Sequence, residues 1–152
     1  MWVAGNKRAG FPLGSGMTLL ELMVVVAIIA IASVGISLSI RDSSEAQLER
    51  EGVRLAALLE TARAASRASG TPVRWHATEG GFHFEGLARG TLPEQWLGAG
   101  IFAQPPASLV LGPEPIIGPQ QVSLRASASP GRLLNVGTDG LRPFMVQGAA
   151  PI

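Results

Sequence analysis

The sequence predicts an α+β fold in which one long N-terminal α-helix is followed by a β-rich C-terminal part. The helix is predicted by residues 17–69, where a long apolar run passes into apolar side chains at helical spacing. The β-rich part is predicted because most of the 19 glycines and 11 prolines follow Ser69, where apolar side chains recur at every second position. With 152 residues, the chain has room for one small domain besides its N-terminal segment.

A leader peptide is predicted at residues 1–16. This stretch contains glycines, one proline and two adjacent basic residues, Lys7 and Arg8, and it follows neither helical nor strand periodicity. Basic residues just before an apolar run are typical of segments that stay in the cytoplasm. We therefore expect the N-terminus in the cytoplasm and the C-terminal part outside the inner membrane.

A transmembrane helix is predicted at residues 17–40. No charged side chain occurs between Glu21 and Arg41. At about 1.5 Å per residue, a helix over this run covers close to the roughly 30 Å hydrocarbon core of a bilayer. Glu21 lies near the start of the run, where an unpaired acid costs on the order of 2–3 kcal/mol. We therefore expect a partner whose positive charge neutralises Glu21.

Two other interpretations account for the same residues. Thr18 and Glu21 have the spacing of a capping box, in which each side chain accepts a backbone N–H at a helix start. Alternatively, Lys7 and Arg8 suit the basic region of an ordinary signal peptide, with cleavage after Ala32. That cleavage would release a soluble periplasmic binding protein.

An amphipathic continuation of the helix is predicted at residues 41–69. Four apolar side chains share one face, which should lie against a folded domain: Leu48, Leu55, Leu59 and Ala62. Two charged pairs have i,i+3 spacing and are interpreted as a solvated face: Glu51–Arg54 and Glu60–Arg63. Gly70 and Pro72 end the helix, because glycine suits the position after a helix and proline cannot continue one.

A β-hairpin is predicted at the start of the C-terminal domain, residues 70–152. Residues 73–77 and 82–85 alternate between apolar and polar side chains around the turn-prone sequence Glu79-Gly80-Gly81. The side chains expected to point inward are Val73, Trp75, Phe82 and Phe84. Later strands and turns complete one or two antiparallel sheets: strands at 121–125, 133–136 and 143–146, with turns at Pro130-Gly131 and Thr138-Asp139-Gly140. The prolines between residues 87 and 119 predict short or edge strands there.

The residues around Gly16 resemble the leader junction of type IV pilins and type II secretion pseudopilins. Gly16 and Met17 are followed by Thr-Leu-Leu-Glu-Leu-Met-Val-Val and an apolar helix, the arrangement typical of that family. The resemblance implies that a prepilin peptidase cuts after Gly16 and methylates the new N-terminus at Met17. It also implies that Glu21, the fifth residue after the cut, pairs with the terminal amine of a neighbouring subunit. The family usually has phenylalanine where this chain has Met17.

The distal part resembles a narrower group, general secretion pathway protein H and the related minor type IV pilins. The likeness lies in Gly70-Thr71-Pro72-Val73 after the helix and in the late sequence from Leu134 to Gly140. It implies a helix packed on a C-terminal antiparallel β-sandwich, and a minor pseudopilin of the type II secretion system as the function. The implied partners are the lipid bilayer, other pseudopilins of a periplasmic filament and the inner-membrane assembly platform. A minor type IV pilin, acting in pilus assembly or DNA uptake, is the alternative.

No residue pattern in the sequence predicts an enzyme or a cofactor. His76 and His83 lie on neighbouring predicted strands, but two imidazoles without cysteine are a weak metal signal, since zinc sites need three or four converging ligands. Asp139 lies in a predicted turn, where its side chain has a structural role. We therefore expect no catalytic residue, no metal ligand and no cofactor.

The charge balance argues against nucleic-acid binding. The chain has 12 basic and 11 acidic residues, and without Lys7 and Arg8 the basic ones number 10. Nucleic-acid binders generally display a basic patch, because phosphate neutralisation supplies most of their non-specific affinity. A local patch for DNA would have to come from Arg125, Arg132 and Arg142.

Overall fold

One helix and seven strands make up the part of the chain that the computed structural model describes, residues 18–148, with residues 34–42 described in their backbone only. The elements in chain order are α1 Leu19–Ser69, β1 Val73–Thr78, β2 Gly81–Glu85, β3 Ile101–Ala103, β4 Ser108–Gly112, β5 Gln120–Ala126, β6 Ser129–Thr138 and β7 Met145–Gln147. One compact unit ends at Ile36 and a second begins at Ser37. This α+β architecture agrees with the fold class predicted from the sequence.

Two antiparallel sheets form the β-rich part. One has the strand order β2-β1-β4 and the other the order β3-β5-β6-β7. The predicted hairpin is confirmed, because β1 and β2 pair with Trp75 opposite Phe84. The four side chains predicted to point inward are all buried: Val73, Trp75, Phe82 and Phe84. Alternation identified the covered face correctly because successive side chains of a strand point to opposite sides.

The second half of α1 adds its predicted apolar stripe to the same core. The four stripe residues are buried in one cluster with apolar side chains of both sheets: Leu48, Leu55, Leu59 and Ala62. The helix approaches β6 closely at Gly52, where an added Cβ atom would lie 2.4 Å from Cδ2 of Leu134. A larger residue at Gly52 would therefore push the buried Leu134 side chain out of its position.

The charged pairs on α1 correct the predicted solvated face. Both ion pairs form, with 3.2 Å between Arg54 Nη1 and Glu51 Oε2 and 3.4 Å between Arg63 Nη1 and Glu60 Oε1. However, Glu51 is only 4% exposed and Arg63 only 3%, so the interpretation as a solvated face is wrong for these two residues. Helical spacing shows which side chains meet, but loops from elsewhere in the chain decide which of them are covered.

The turn before β6 lies earlier than predicted. β5 ends at Ala126 and β6 begins at Ser129, so Pro130-Gly131 lies inside β6 and does not form the turn. These two residues follow the pair formed by Ala126 and Ser129, at a break in the register of the two strands. Proline has no N–H to donate to a neighbouring strand, and an irregular position in the ladder accommodates it.

The proline-rich stretch supplies two edge strands, as predicted. β3 lies at one edge of its sheet and β4 at one edge of the other. The open edge of β4 is capped by the side chain of Gln120: Nε2 donates to the carbonyl of Val110 at 2.8 Å, and Oε1 accepts the N–H of Val110 at 2.7 Å. One amide side chain thus takes the place of a neighbouring strand and connects the two sheets.

Candidate functional site

The first turn of α1 is the part of the predicted processing site that the structure describes. Thr18 precedes the helix, and its Oγ1 accepts the N–H of Glu21 at 3.2 Å. This contact is one half of the predicted capping box, and it satisfies one of the backbone donors that a helix start leaves open. Gly16 and Met17, the predicted cleavage and methylation positions, lie outside the described residues.

The carboxylate of Glu21 is exposed at the helix start. It forms no ion pair within the described range of the chain. An acid in the first turn is favoured by the helix dipole, but this effect is worth only a few tenths to about 1 kcal/mol at an exposed position. The Glu21 carboxylate is therefore accessible to a charged group of a second molecule.

The first part of α1 presents apolar side chains to its surroundings on every side. The large apolar residues from Leu19 to Ile31 are 41–77% exposed. Contiguous apolar surface of this kind marks contact with lipid or with other proteins. Over the residues for which the structure gives side chains, no helical stretch meets the length and hydropathy of a membrane span.

The buried Arg63 and the partly buried Glu60 form a polar cluster that sequence reasoning missed. Arg63 Nη2 donates to the carbonyl oxygens of Gly140 at 2.9 Å and of Pro115 at 3.3 Å. Glu60 Oε1 accepts the backbone N–H of Phe144 at 3.0 Å. The two side chains fasten two distal loops to α1. The i,i+3 spacing of the pair was visible in the sequence, but no local signal indicated the carbonyls that the guanidinium reaches.

Asp139 organises the turn between β6 and β7, which confirms the structural role predicted for it. Its Oδ1 accepts the N–H of Arg142 at 2.7 Å and of Leu141 at 3.0 Å, and its Oδ2 accepts Nε of Arg142 at 2.7 Å. The backbone N–H and the guanidinium of Arg142, together with the N–H of Leu141, lower the pKa of Asp139 from 3.8 to about 2. The carboxylate thus stays ionised well into the acid range.

His76 and His83 form a pair on the outer face of the first sheet. They are register partners of β1 and β2, with their ring centroids 5.5 Å apart. Nδ1 of His83 lies 2.6 Å from Oε1 of Glu94, in the segment between β2 and β3. In the described part of the chain, no group of three or more histidine, cysteine, aspartate or glutamate side chains converges to hold a metal ion.

Two of the three arginines considered for a DNA patch are paired with carboxylates. Arg132 forms an ion pair with Glu45 of α1, and Arg142 forms one with Asp139. Their charges are therefore already partly neutralised within the fold. Since non-specific DNA affinity depends on cations that can replace counterions on phosphate, this pairing weakens the case for a DNA-binding surface.

The comparison with known proteins identifies the N-terminal segment. A family model described as the prokaryotic N-terminal methylation motif matches residues 15–37, which include Gly16, Met17 and Glu21. No curated protein and no solved structure matches the chain. The matched motif implies processing by a prepilin peptidase and assembly with other pilin-like subunits. It indicates a type IV pilin-like protein, in the group that includes pseudopilins, whose members are structural proteins and not enzymes.

Proposed function

We propose that the chain is a minor pseudopilin, a structural subunit of the type II secretion pseudopilus that serves protein export across the outer membrane. One observation carries the proposal: the methylation motif leads directly into a capped helix start whose acid, Glu21, is exposed and unpaired among the described residues. The packing of the second half of α1 on two antiparallel sheets supports it, because this is the architecture that the resemblance to H-type subunits implies.

Processing prepares the subunit for assembly. A prepilin peptidase cuts after Gly16 on the cytoplasmic side and methylates Met17, which becomes the first residue. The uncharged stretch at residues 22–40 then holds the subunit in the inner membrane, with the β-rich domain in the periplasm.

Assembly replaces lipid around the helix with the helices of other subunits. The apolar side chains from Leu19 to Ile31 need an apolar environment at every stage, since water exposure costs roughly 25 cal/mol per Å² of apolar surface. The Glu21 carboxylate finds the terminal amine of a neighbouring subunit, so neither charge remains unpaired in the apolar medium. The assembly platform of the inner membrane brings the subunits together.

We expect a prepilin peptidase to remove the first sixteen residues of this chain. The protein is co-expressed with the peptidase, extracted from membranes and analysed by intact mass and N-terminal sequencing. The wild type should begin at a methylated Met17, and Gly16→Glu should keep its leader because it replaces the residue directly before the proposed cut. Gly14→Glu adds the same charge two positions earlier and should still be cleaved. A mature protein that begins at Ser33 would favour an ordinary signal peptide, and an intact leader in the wild type would contradict the proposal.

We expect Glu21→Ala to be processed normally but to enter the filament at least about tenfold less. The variant leaves the terminal amine of the neighbouring subunit unpaired in an apolar medium, which costs on the order of 2–3 kcal/mol and corresponds to more than a factor of ten. Incorporation is measured by cross-linking in sheared filaments, with secretion of an exported enzyme as the functional readout. Thr18→Ala is the matched control, since it removes only the helix cap. Equal effects of both variants would assign Glu21 a capping role alone. If the wild-type protein restored pili but not secretion in a strain that lacks its gene, the result would favour a minor type IV pilin.

A further inference from the structure

In contrast to the expectation from the sequence that the chain has no metal ligand, we propose that His76 and His83 form a surface binding site for one first-row transition-metal ion, of the kind represented by Zn²⁺ and Cu²⁺. The site is independent of the filament role. The two histidines lie directly opposite each other on β1 and β2, on the face of the sheet that turns away from the buried Trp75 and Phe84. Imidazole nitrogen is a preferred ligand of both ions.

The spacing of the two rings suits the chelation of a single ion. Their centroids lie 5.5 Å apart, and the ring planes meet at 65°. A Zn–N bond of about 2.0–2.1 Å puts the metal roughly 3 Å from each ring centroid, and a tetrahedral angle then separates the two centroids by about 5 Å. The observed separation of 5.5 Å is close to this value, and the edge-on arrangement of the rings means that chelation requires rotation of the two imidazoles about their side-chain bonds.

Glu94 orients His83 for this role. Its Oε1 lies 2.6 Å from Nδ1 of His83, so Nδ1–H donates to the carboxylate and Nε2 is the nitrogen left for a metal ion. A carboxylate on the second nitrogen of a ligating histidine is a recurrent feature of metal sites, because it fixes the ring and raises its basicity. The backbone holds Glu94 in place, since its carbonyl accepts the N–H of Phe82 at 2.9 Å and Gln95 forms a bridge with Gly81.

The chemistry of the cluster is that of an open, exchangeable site. Structural zinc sites have four protein ligands, whereas the described residues offer two histidines and no third converging ligand, so water completes the coordination. The side chains of His83 and Glu94 are 39% and 41% exposed, which leaves the site open to ions from solution. With imidazole ligands, Cu²⁺ is bound more tightly than Zn²⁺.

Titration of the purified full-length protein in detergent micelles with ZnCl₂ or CuCl₂ alone, followed by calorimetry, tests the site. We expect one ion per chain and tighter binding of Cu²⁺. His76→Ala and His83→Ala each remove one ligand and should each reduce the affinity for the metal ion by about a hundredfold. Glu94→Gln changes only the hydrogen-bond partner of His83 and should reduce this affinity by about tenfold. Glu85→Gln is the matched control: it removes an exposed carboxylate two residues from His83 on the same face and should change the affinity less than about twofold.

Two further measurements separate loss of the site from loss of the fold. Far-UV circular dichroism and tryptophan fluorescence should be the same for all four variants and the wild type, because the exchanged side chains lie outside the core. The electron paramagnetic resonance spectrum of bound Cu²⁺ should show two imidazole nitrogens in the wild type and one in His76→Ala. Wild-type affinity in the His76→Ala/His83→Ala double variant, or binding that does not saturate, would overturn the proposal.

Discussion

Replacing Gly140 with alanine is expected to lower the free energy of unfolding by about 3 kcal/mol or more. Gly140 has a φ of +93°, and an added Cβ atom would lie 1.9 Å from the carbonyl oxygen of Ile117. The positive φ alone costs an L-residue roughly 1–2 kcal/mol. The clash adds to this because the opposing atom belongs to the backbone and cannot rotate away. Relief of the clash would also move the Gly140 carbonyl away from Arg63, which donates to it at 2.9 Å.

Two other glycines separate the causes of that loss. Gly118 lies in the neighbouring loop and an added Cβ would meet nothing within 4 Å, so Gly118→Ala should change stability by less than about 0.5 kcal/mol. Gly70 has a φ of +68° but equally open surroundings, so Gly70→Ala measures the backbone strain alone, about 1–2 kcal/mol. Urea unfolding of the full-length protein in micelles, followed through the buried Trp75, gives all three values. A loss for Gly140→Ala no larger than that for Gly70→Ala would show that the close approach to Ile117 is unimportant.

Exchange of Arg63 for methionine is expected to cost about 3 kcal/mol of stability. Methionine retains the apolar stem of arginine, so the packing changes little. The variant loses the guanidinium N–H groups that donate to the carbonyl oxygens of Gly140 and Pro115 and to the carboxylate of Glu60. These oxygens surround an Arg63 side chain that is only 3% exposed. Removing one partner of a buried pair typically costs 3–5 kcal/mol. We expect the lower end of this range because the Glu60 side chain is 27% exposed and regains some water.

Arg67→Met is the matched control for this exchange. Arg67 lies one turn further along α1 and is exposed, so its loss should change stability by less than about 0.5 kcal/mol. Arg63→Lys keeps the charge but not the planar fork of donors, and should fall between the methionine variant and the wild type. Hydrogen exchange of the Phe144 amide, which donates to Glu60, reports on the loop itself and should speed up in Arg63→Met. Identical unfolding curves for Arg63→Met and Arg67→Met would restore the solvated-face interpretation.

Local chemistry in the sequence was enough to determine the N-terminal motif and most of the elements. One contiguous stretch contains Gly16, Met17 and Glu21, and a family model matches that stretch. The alternation around Trp75 and the helix stop at Gly70 depend on side chains within a few residues of one another, which is the range over which helical and strand periodicities act.

Only the tertiary structure decided the order of the strands and the surroundings of the polar side chains. Arg63 donates to the carbonyls of Pro115 and Gly140, which lie 52 and 77 positions further along the chain. The contact of Glu94 with His83 depends on the course of the segment after β2. Spacing rules reach only three or four residues on a helix and the directly opposing residue on a hairpin. Burial of a charged side chain depends on segments that fold back from far along the sequence, and for this reason the pairing of Arg63 with Glu60 was predicted whereas its burial was not.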